Sequence, residues 1–126
     1  MEHGTVRKVL GVDAITCLAA GVAMLAGSGP LAELTALPQP LLRAAGMALL
    51  PVAALFAWMS RTNILSGPLL TLAVVGNAAW VLASLAVLML VPANGWGYAV
   101  VLGQAAMVAL LAALEARGLG DRRAVA

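Results

Sequence analysis

The chain has 126 residues, of which 63% are hydrophobic and only 10% are charged, and its mean hydropathy is +1.04. Soluble domains average about 25% charged residues, so this composition excludes a water-exposed globular surface and indicates that lipid surrounds the chain. The net charge of +2 is small, and the cations lie beside apolar segments. Such charges are typical of membrane topology signals, and we expect no nucleic-acid partner.

Four long apolar segments predict an all-α polytopic membrane protein, an antiparallel four-transmembrane-helix bundle in a single domain over residues 1–126. Each segment has about the 20 residues that cross a bilayer, and short connections make consecutive helices antiparallel neighbours. Leucines at helical spacing after Pro30 predict a short interfacial helix over 30–37. The predicted spans are 6–26, 41–60, 68–91 and 96–116.

The first span also has features of a signal peptide, because Arg7 and Lys8 precede its apolar stretch. Asp13 interrupts that stretch, which is also longer than a signal peptide requires, so we expect a retained helix. Orientation follows from the cations, since positive charge concentrates on the cytoplasmic side. Six cations fall on one side of the predicted topology and only Arg43 on the other, which predicts cytoplasmic N- and C-termini. The six are Arg7, Lys8, Arg61, Arg117, Arg122 and Arg123.

Arginine outnumbers lysine six to one, a bias that favours a GC-rich bacterial genome and hence the bacterial inner membrane. Small residues recur every three or four positions on three spans, and such rows allow close helix contacts within the bundle or in a homo-oligomer. The rows are Ala53 and Ala57 on the second span, Gly76, Ala79 and Ala83 on the third, and Ala105, Ala109 and Ala113 on the fourth.

Polar residues inside spans are costly in lipid and usually face a bundle interior or a wet cavity. Asp13 and Asn77 lie at similar depths from the same side, so a contact between them is geometrically allowed. Gln104 enters from the opposite side and should meet Ser84, while the indole N–H of Trp80 at mid-membrane needs an internal partner. The predicted ligand or ion site comprises Asp13, Thr16, Asn77, Trp80, Ser84 and Gln104.

Two interpretations of these residues stay open. Hydrogen bonding between helices explains Asn77, Ser84 and Gln104 without any ligand. A carboxylate in lipid costs more, so Asp13 is either a functional charge or a packing and topology charge, with Arg7, Lys8 or Arg61 as neutralising neighbours. Glu115, at the end of the fourth span, is most simply interpreted as part of a solvated helix terminus.

The sequence around 41–58 (LLRAAGMALLPVAALFAW), 74–88 (VVGNAAWVLASLAVL) and 103–119 (GQAAMVALLAALEARGL) resembles a family of small four-span bacterial inner-membrane proteins. Its most distinctive part is the pattern Gly76-Asn77-x-x-Trp80-x-x-x-Ser84. The resemblance implies the fold and carries no activity.

Three better-known four-span families are also similar in plan. Small multidrug transporters carry a glutamate in the first span where this chain has Asp13, but their tyrosine and tryptophan signature has no match. Fluoride channels share Gly-Asn within a span and differ in their phenylalanine-rich motif. DoxX-like proteins resemble the chain only in having four helices.

Together these features favour a non-enzymatic bundle that binds a lipophilic ligand or a membrane partner protein around Asp13, Asn77 and Trp80. The alternative is an oligomeric transporter or channel for a small cation or a proton-coupled substrate. No nucleophile–base pair, metal-ligand cluster or cofactor fingerprint occurs, so no catalytic residue, metal or cofactor is predicted.

Overall fold

The computed structural model describes residues 3–61 and 67–125, with the side-chain surroundings of 4–61 and 67–118. The described chain is entirely helical apart from short connections, which confirms the predicted all-α class. Four of its five helices contain a segment long and apolar enough to cross a membrane. The protein is therefore an integral membrane protein with four spans. The helices are α1 (His3–Ala26), α2 (Ser28–Thr35), α3 (Gln39–Arg61), α4 (Gly67–Leu90) and α5 (Gly95–Val125).

All five helices have bounds that differ from their predictions by one residue or more, and α2 and α5 are two examples. The short helix α2 lies at Ser28–Thr35 instead of 30–37, because Ala36 adopts the left-handed conformation that ends a helix. Helix α5 continues to Val125 instead of ending at residue 116, so it is longer than a span requires. Pro51 lies inside α3, which continues through it. Apart from its two ends, the predicted connection from Arg61 to Gly67 lies outside the described residues.

The spans pack as two pairs, α1 with α3 and α4 with α5, and backbone contacts between α1 and α5 join the pairs. The prediction that consecutive spans are neighbours is therefore wrong for the described residues of α3 and α4, which belong to different pairs. Glycines allow the closest approach within the first pair. A Cβ on Gly46 would lie 2.8 Å from the carbonyl oxygen of Gly21, and a Cβ on Gly21 would lie 3.1 Å from that of Gly46. A larger residue at Gly46 would therefore push α1 and α3 apart.

The predicted small-residue rows of α4 and α5 are mostly exposed, although Gly76 and Ala83 line the cavities described below. Ala79, Ala83, Ala109 and Ala113 are exposed, and a Cβ on Gly76 would meet no atom within 4 Å. Of the predicted rows, Ala53 on α3 and Ala105 on α5 are buried, with Ala57 packed against the core, and the prediction of packing within one chain is confirmed only there. Their packing between protomers stays a prediction.

The short helix α2 is tied to the bundle at both ends. At its beginning, the Ser28 hydroxyl accepts hydrogen bonds from Gln39 Nε2 at 3.1 Å and Arg43 Nε at 3.2 Å. At its end, the backbone N–H of Asn94 donates to the Thr35 carbonyl at 3.2 Å, and the Asn94 side chain donates to the Leu34 carbonyl. These bonds hold α2 between α3 and the start of α5, at the end of the bundle that contains Asn94.

Candidate functional site

Asp13 occupies the buried face of α1, which also carries Leu10 and Cys17. Its side chain is 1% exposed. Asn77 Nδ2 donates to Asp13 Oδ2 at 2.7 Å, and Cys17 Sγ approaches Asp13 Oδ1 at 3.6 Å from the next turn of the helix. The predicted contact between Asp13 and Asn77 is confirmed.

A third residue, Glu115 of α5, completes this group, which we call the acidic cluster (Asp13, Asn77 and Glu115). Asn77 Nδ2 also donates to Glu115 Oε1, at 2.9 Å, so one amide nitrogen serves both carboxyl groups. The two carboxyl groups are within hydrogen-bonding reach of each other. Glu115 is 0% exposed, and the interpretation of this residue as a solvated helix end is wrong because α5 continues well beyond it.

The acidic cluster has more acceptors than donors. Glu115 Oε2 is buried without a hydrogen-bond partner. Among the described residues, no lysine or arginine forms an ion pair with either carboxyl group, and the buried Arg7 Nε is itself without a partner. Buried charges are ordinarily paired or neutralised, so these carboxyl groups need either a shared proton or a cationic partner that the described side chains do not supply.

A second polar group lies one helical turn farther along α4, and we call it the indole cluster (Trp80, Ser84 and Gln104). Trp80 Nε1 donates to Gln104 Oε1 at 2.9 Å, and Gln104 Nε2 donates to Ser84 Oγ at 2.9 Å. Gln104 Nε2 also donates to the Val101 carbonyl, while the Ser84 hydroxyl donates to the Trp80 carbonyl. The predicted contact of Gln104 with Ser84 and the internal partner of Trp80 are both confirmed.

Thr16, the remaining predicted site residue, does not join either cluster. Its hydroxyl donates to the Val12 carbonyl of its own helix at 2.8 Å. The structure therefore divides the six predicted residues into Asp13 with Asn77, the indole cluster, and Thr16 apart.

A cavity of about 440 Å³ lies between the two helix pairs, and we call it the Asp13 cavity. Asp13, Thr16, Cys17 and Asn77 line it, and Trp80 and Gln104 also contribute to its wall. The rest of the wall is apolar and comes from all four spans. These apolar residues include Leu49, Phe56, Leu72 and Met107.

A second cavity of about 340 Å³ lies towards α2, and we call it the Thr35 cavity. Leucines of α2 and α3 line it, and Ser84 is one of its few polar residues. Met24, Trp80 and Gln104 line both cavities, so the indole cluster stands where the two spaces meet.

Sequence reasoning missed Glu115, although a signal was present. Gln104, Leu111 and Glu115 follow positions i, i+7 and i+11, which places the carboxyl on the same helix face as the predicted Gln104. The signal was hidden by placing the end of the helix too early. No family model, curated protein or solved structure matches this chain.

Proposed function

We propose that the protein binds a lipophilic ligand in the Asp13 cavity. The observation that carries this proposal is a space of about 440 Å³ between the two helix pairs, apolar over most of its wall and lined by a few polar groups. Small-molecule sites have this character, because apolar walls supply affinity and a few convergent polar groups fix orientation. A membrane partner protein is the other occupant that the sequence favours, and it would need an exposed site instead of this internal one.

A neutral fluorescent probe tests the proposal. Exposed Trp58 and Trp96 are replaced by phenylalanine, which leaves Trp80 in the cavity wall as the only indole. The purified protein in lipid nanodiscs is then titrated with 1-pyrenemethanol, whose pyrene accepts excitation energy from tryptophan. We expect saturable energy transfer from Trp80.

Two substitutions on α5 separate binding in the cavity from partition into lipid. Gly103 lines the cavity and a Cβ there would meet no atom within 4 Å, so Gly103→Leu should fill space and weaken saturable binding. Ala106 is exposed on the same helix and does not line the cavity, so Ala106→Leu is the matched control. Equal, non-saturable transfer in both variants would show that the probe only dissolves in lipid.

The second candidate function is an oligomeric transporter or channel for a small cation or a proton-coupled substrate. It is favoured by the succession of the two cavities, which meet at Trp80 and Gln104 and together extend from Asp13 to Thr35. Liposomes that contain the protein and an internal pH dye test it. Proton movement that depends on an added substrate would support transport, and a static pH under all gradients would leave only binding.

We infer that the chain belongs with the small four-span proteins of the bacterial inner membrane and that both termini are cytoplasmic. The distribution of cations supports the orientation. Alkaline phosphatase fused after Ala126 should be inactive, and the enzyme inserted at Asn94 should be active. The opposite pattern of activities would reverse the orientation.

A further inference from the structure

The acidic cluster adjoins an apolar cavity and lacks compensating positive charge. Asp13 and Asn77 line the Asp13 cavity directly, whereas Glu115 is placed behind them through its bond to Asn77 Nδ2. A ligand in the cavity can therefore contact the Asp13 carboxyl group while its apolar part packs against leucine, phenylalanine and methionine side chains. This arrangement selects for charge at one end of the ligand and apolar surface at the other.

One oxygen of the second carboxyl group, Glu115 Oε2, has no donor among the described side chains. Glu115 is completely buried, and its Oε2 has no hydrogen-bond partner although its Oε1 accepts from Asn77. Asn77 cannot donate a further hydrogen bond to Glu115 Oε2, because its amide nitrogen already donates to both carboxyl groups. Buried polar atoms are ordinarily satisfied, so this oxygen needs either a proton shared with the neighbouring Asp13 carboxyl group or a cationic donor from outside the described side chains.

From these observations we propose that the cavity takes a lipophilic amine, with its protonated nitrogen at Asp13 and its apolar body between the helix pairs. This inference rests on the proposed binding function and specifies its ligand class. The ammonium group donates charge-assisted hydrogen bonds to the carboxyl group, and its positive charge offsets the negative charge that Asp13 and Glu115 share. A neutral molecule of the same shape gains the apolar contacts and lacks this electrostatic contribution.

A pair of probes that differ at one group tests the proposal. The amine is 1-pyrenemethylamine, protonated at neutral pH, and its neutral counterpart is 1-pyrenemethanol. Both are titrated into the single-tryptophan protein in nanodiscs of zwitterionic lipid at neutral pH, with energy transfer from Trp80 as the signal. We expect the amine to bind roughly tenfold more tightly than the alcohol, as a charge-assisted hydrogen bond implies.

Variants that remove a carboxyl group identify the residues that cause the preference for the amine over the alcohol. Asp13→Asn and Glu115→Gln keep the side-chain shape, and each should reduce the ratio of amine to alcohol affinity. Glu33 is exposed on α2 and lines neither cavity, so Glu33→Gln is the matched control and should keep the full ratio.

The possible results distinguish failure of the amine proposal from failure of the proposed binding of a lipophilic ligand. Equal affinity for amine and alcohol in the protein with an intact acidic cluster would overturn the amine proposal and leave the lipophilic site standing. This comparison needs no substitution in the cluster, so it stays decisive even where the variants fail to fold. Saturable binding of neither probe would overturn both proposals, and an undiminished ratio in Asp13→Asn would overturn the assignment of the nitrogen to Asp13.

Discussion

The acidic cluster and the indole cluster lie one helical turn apart on α4, yet they satisfy their polar groups differently. In the indole cluster, the Trp80 N–H and both Gln104 Nε2 hydrogens have acceptors, and the Ser84 hydroxyl both donates and accepts. In the acidic cluster, one nitrogen of Asn77 serves two carboxyl groups and one oxygen stays without a partner.

The difference also concerns which helices are joined. The indole cluster lies entirely on α4 and α5, which already pack together. The acidic cluster connects α1 of one pair with α4 and α5 of the other, where backbone contacts are fewer. The indole cluster is neutral, its hydrogen bonds are satisfied within one helix pair, and it stabilises that pair. The acidic cluster, whose two carboxyl groups share one amide donor, joins the two pairs and can bind a ligand. Substitutions in the two clusters should therefore have different consequences.

The largest effect is expected for Asn77→Leu. It removes the donor that both carboxyl groups share and leaves two buried acceptors without compensation, so we expect a loss of about 3 kcal/mol or more in the free energy of unfolding. Unfolding in mixed micelles by added denaturing detergent measures it. Ala79→Leu on the exposed face of α4 is the control, and a loss for Asn77→Leu no larger than the control's would contradict a structural role for the acidic cluster.

A smaller effect is expected for Gln104→Leu, which leaves the Trp80 indole N–H without its acceptor. We expect a loss of about 1–2 kcal/mol, in the range for one unsatisfied donor inside a protein. A double-mutant cycle with Trp80→Phe sharpens the comparison, since the loss of both partners should cost less than the sum of the single losses. Strict additivity would show that the bond between Trp80 and Gln104 contributes nothing to the stability of the pair.

The smallest effect on stability is expected for Asp13→Asn. The amide keeps the side-chain shape, can donate to Glu115, and removes one of two neighbouring carboxyl groups, so the free energy of unfolding should change by less than about 1 kcal/mol. The same detergent titration measures it, with Ser84→Ala, expected to lose about 0.6 kcal/mol, as a reference in the indole cluster. Strong destabilisation by Asp13→Asn would mean that the negative charge itself holds the helix pairs together.

The position of each residue along its transmembrane helix was enough to predict two of the contacts in these clusters. Asp13 and Asn77 were expected at similar depths from one side, and Gln104 and Ser84 from opposite sides, and both contacts are present. The depth of a residue in the membrane follows from the constant rise per residue of a helix, so it can be calculated from the sequence. The four spans were predictable for the same reason, because apolar length is a local property.

The remaining features depend on information that is not local. Glu115 joins the acidic cluster because α5 continues past it to Val125, and sequence alone placed it near a solvated end. The close approach at Gly21 and Gly46 was indistinguishable from other small-residue spacings in a chain rich in alanine and glycine. The cavities arise from the way the two pairs meet, which no single helix encodes.

The separation of Asp13 from its donor along the chain affects how the protein is made. Asn77 follows Asp13 by 64 residues, and synthesis proceeds from the N-terminus. The first hairpin, closed at Gly21 and Gly46, can therefore assemble before Asn77 and Glu115 leave the ribosome. During that interval the membrane insertion machinery must accept Asp13 without its final hydrogen bond, at a cost of about 2.5–3.5 kcal/mol for a carboxylate at mid-span. The long apolar remainder of α1 supplies the compensating affinity for lipid, which makes this helix sensitive to any further polar substitution.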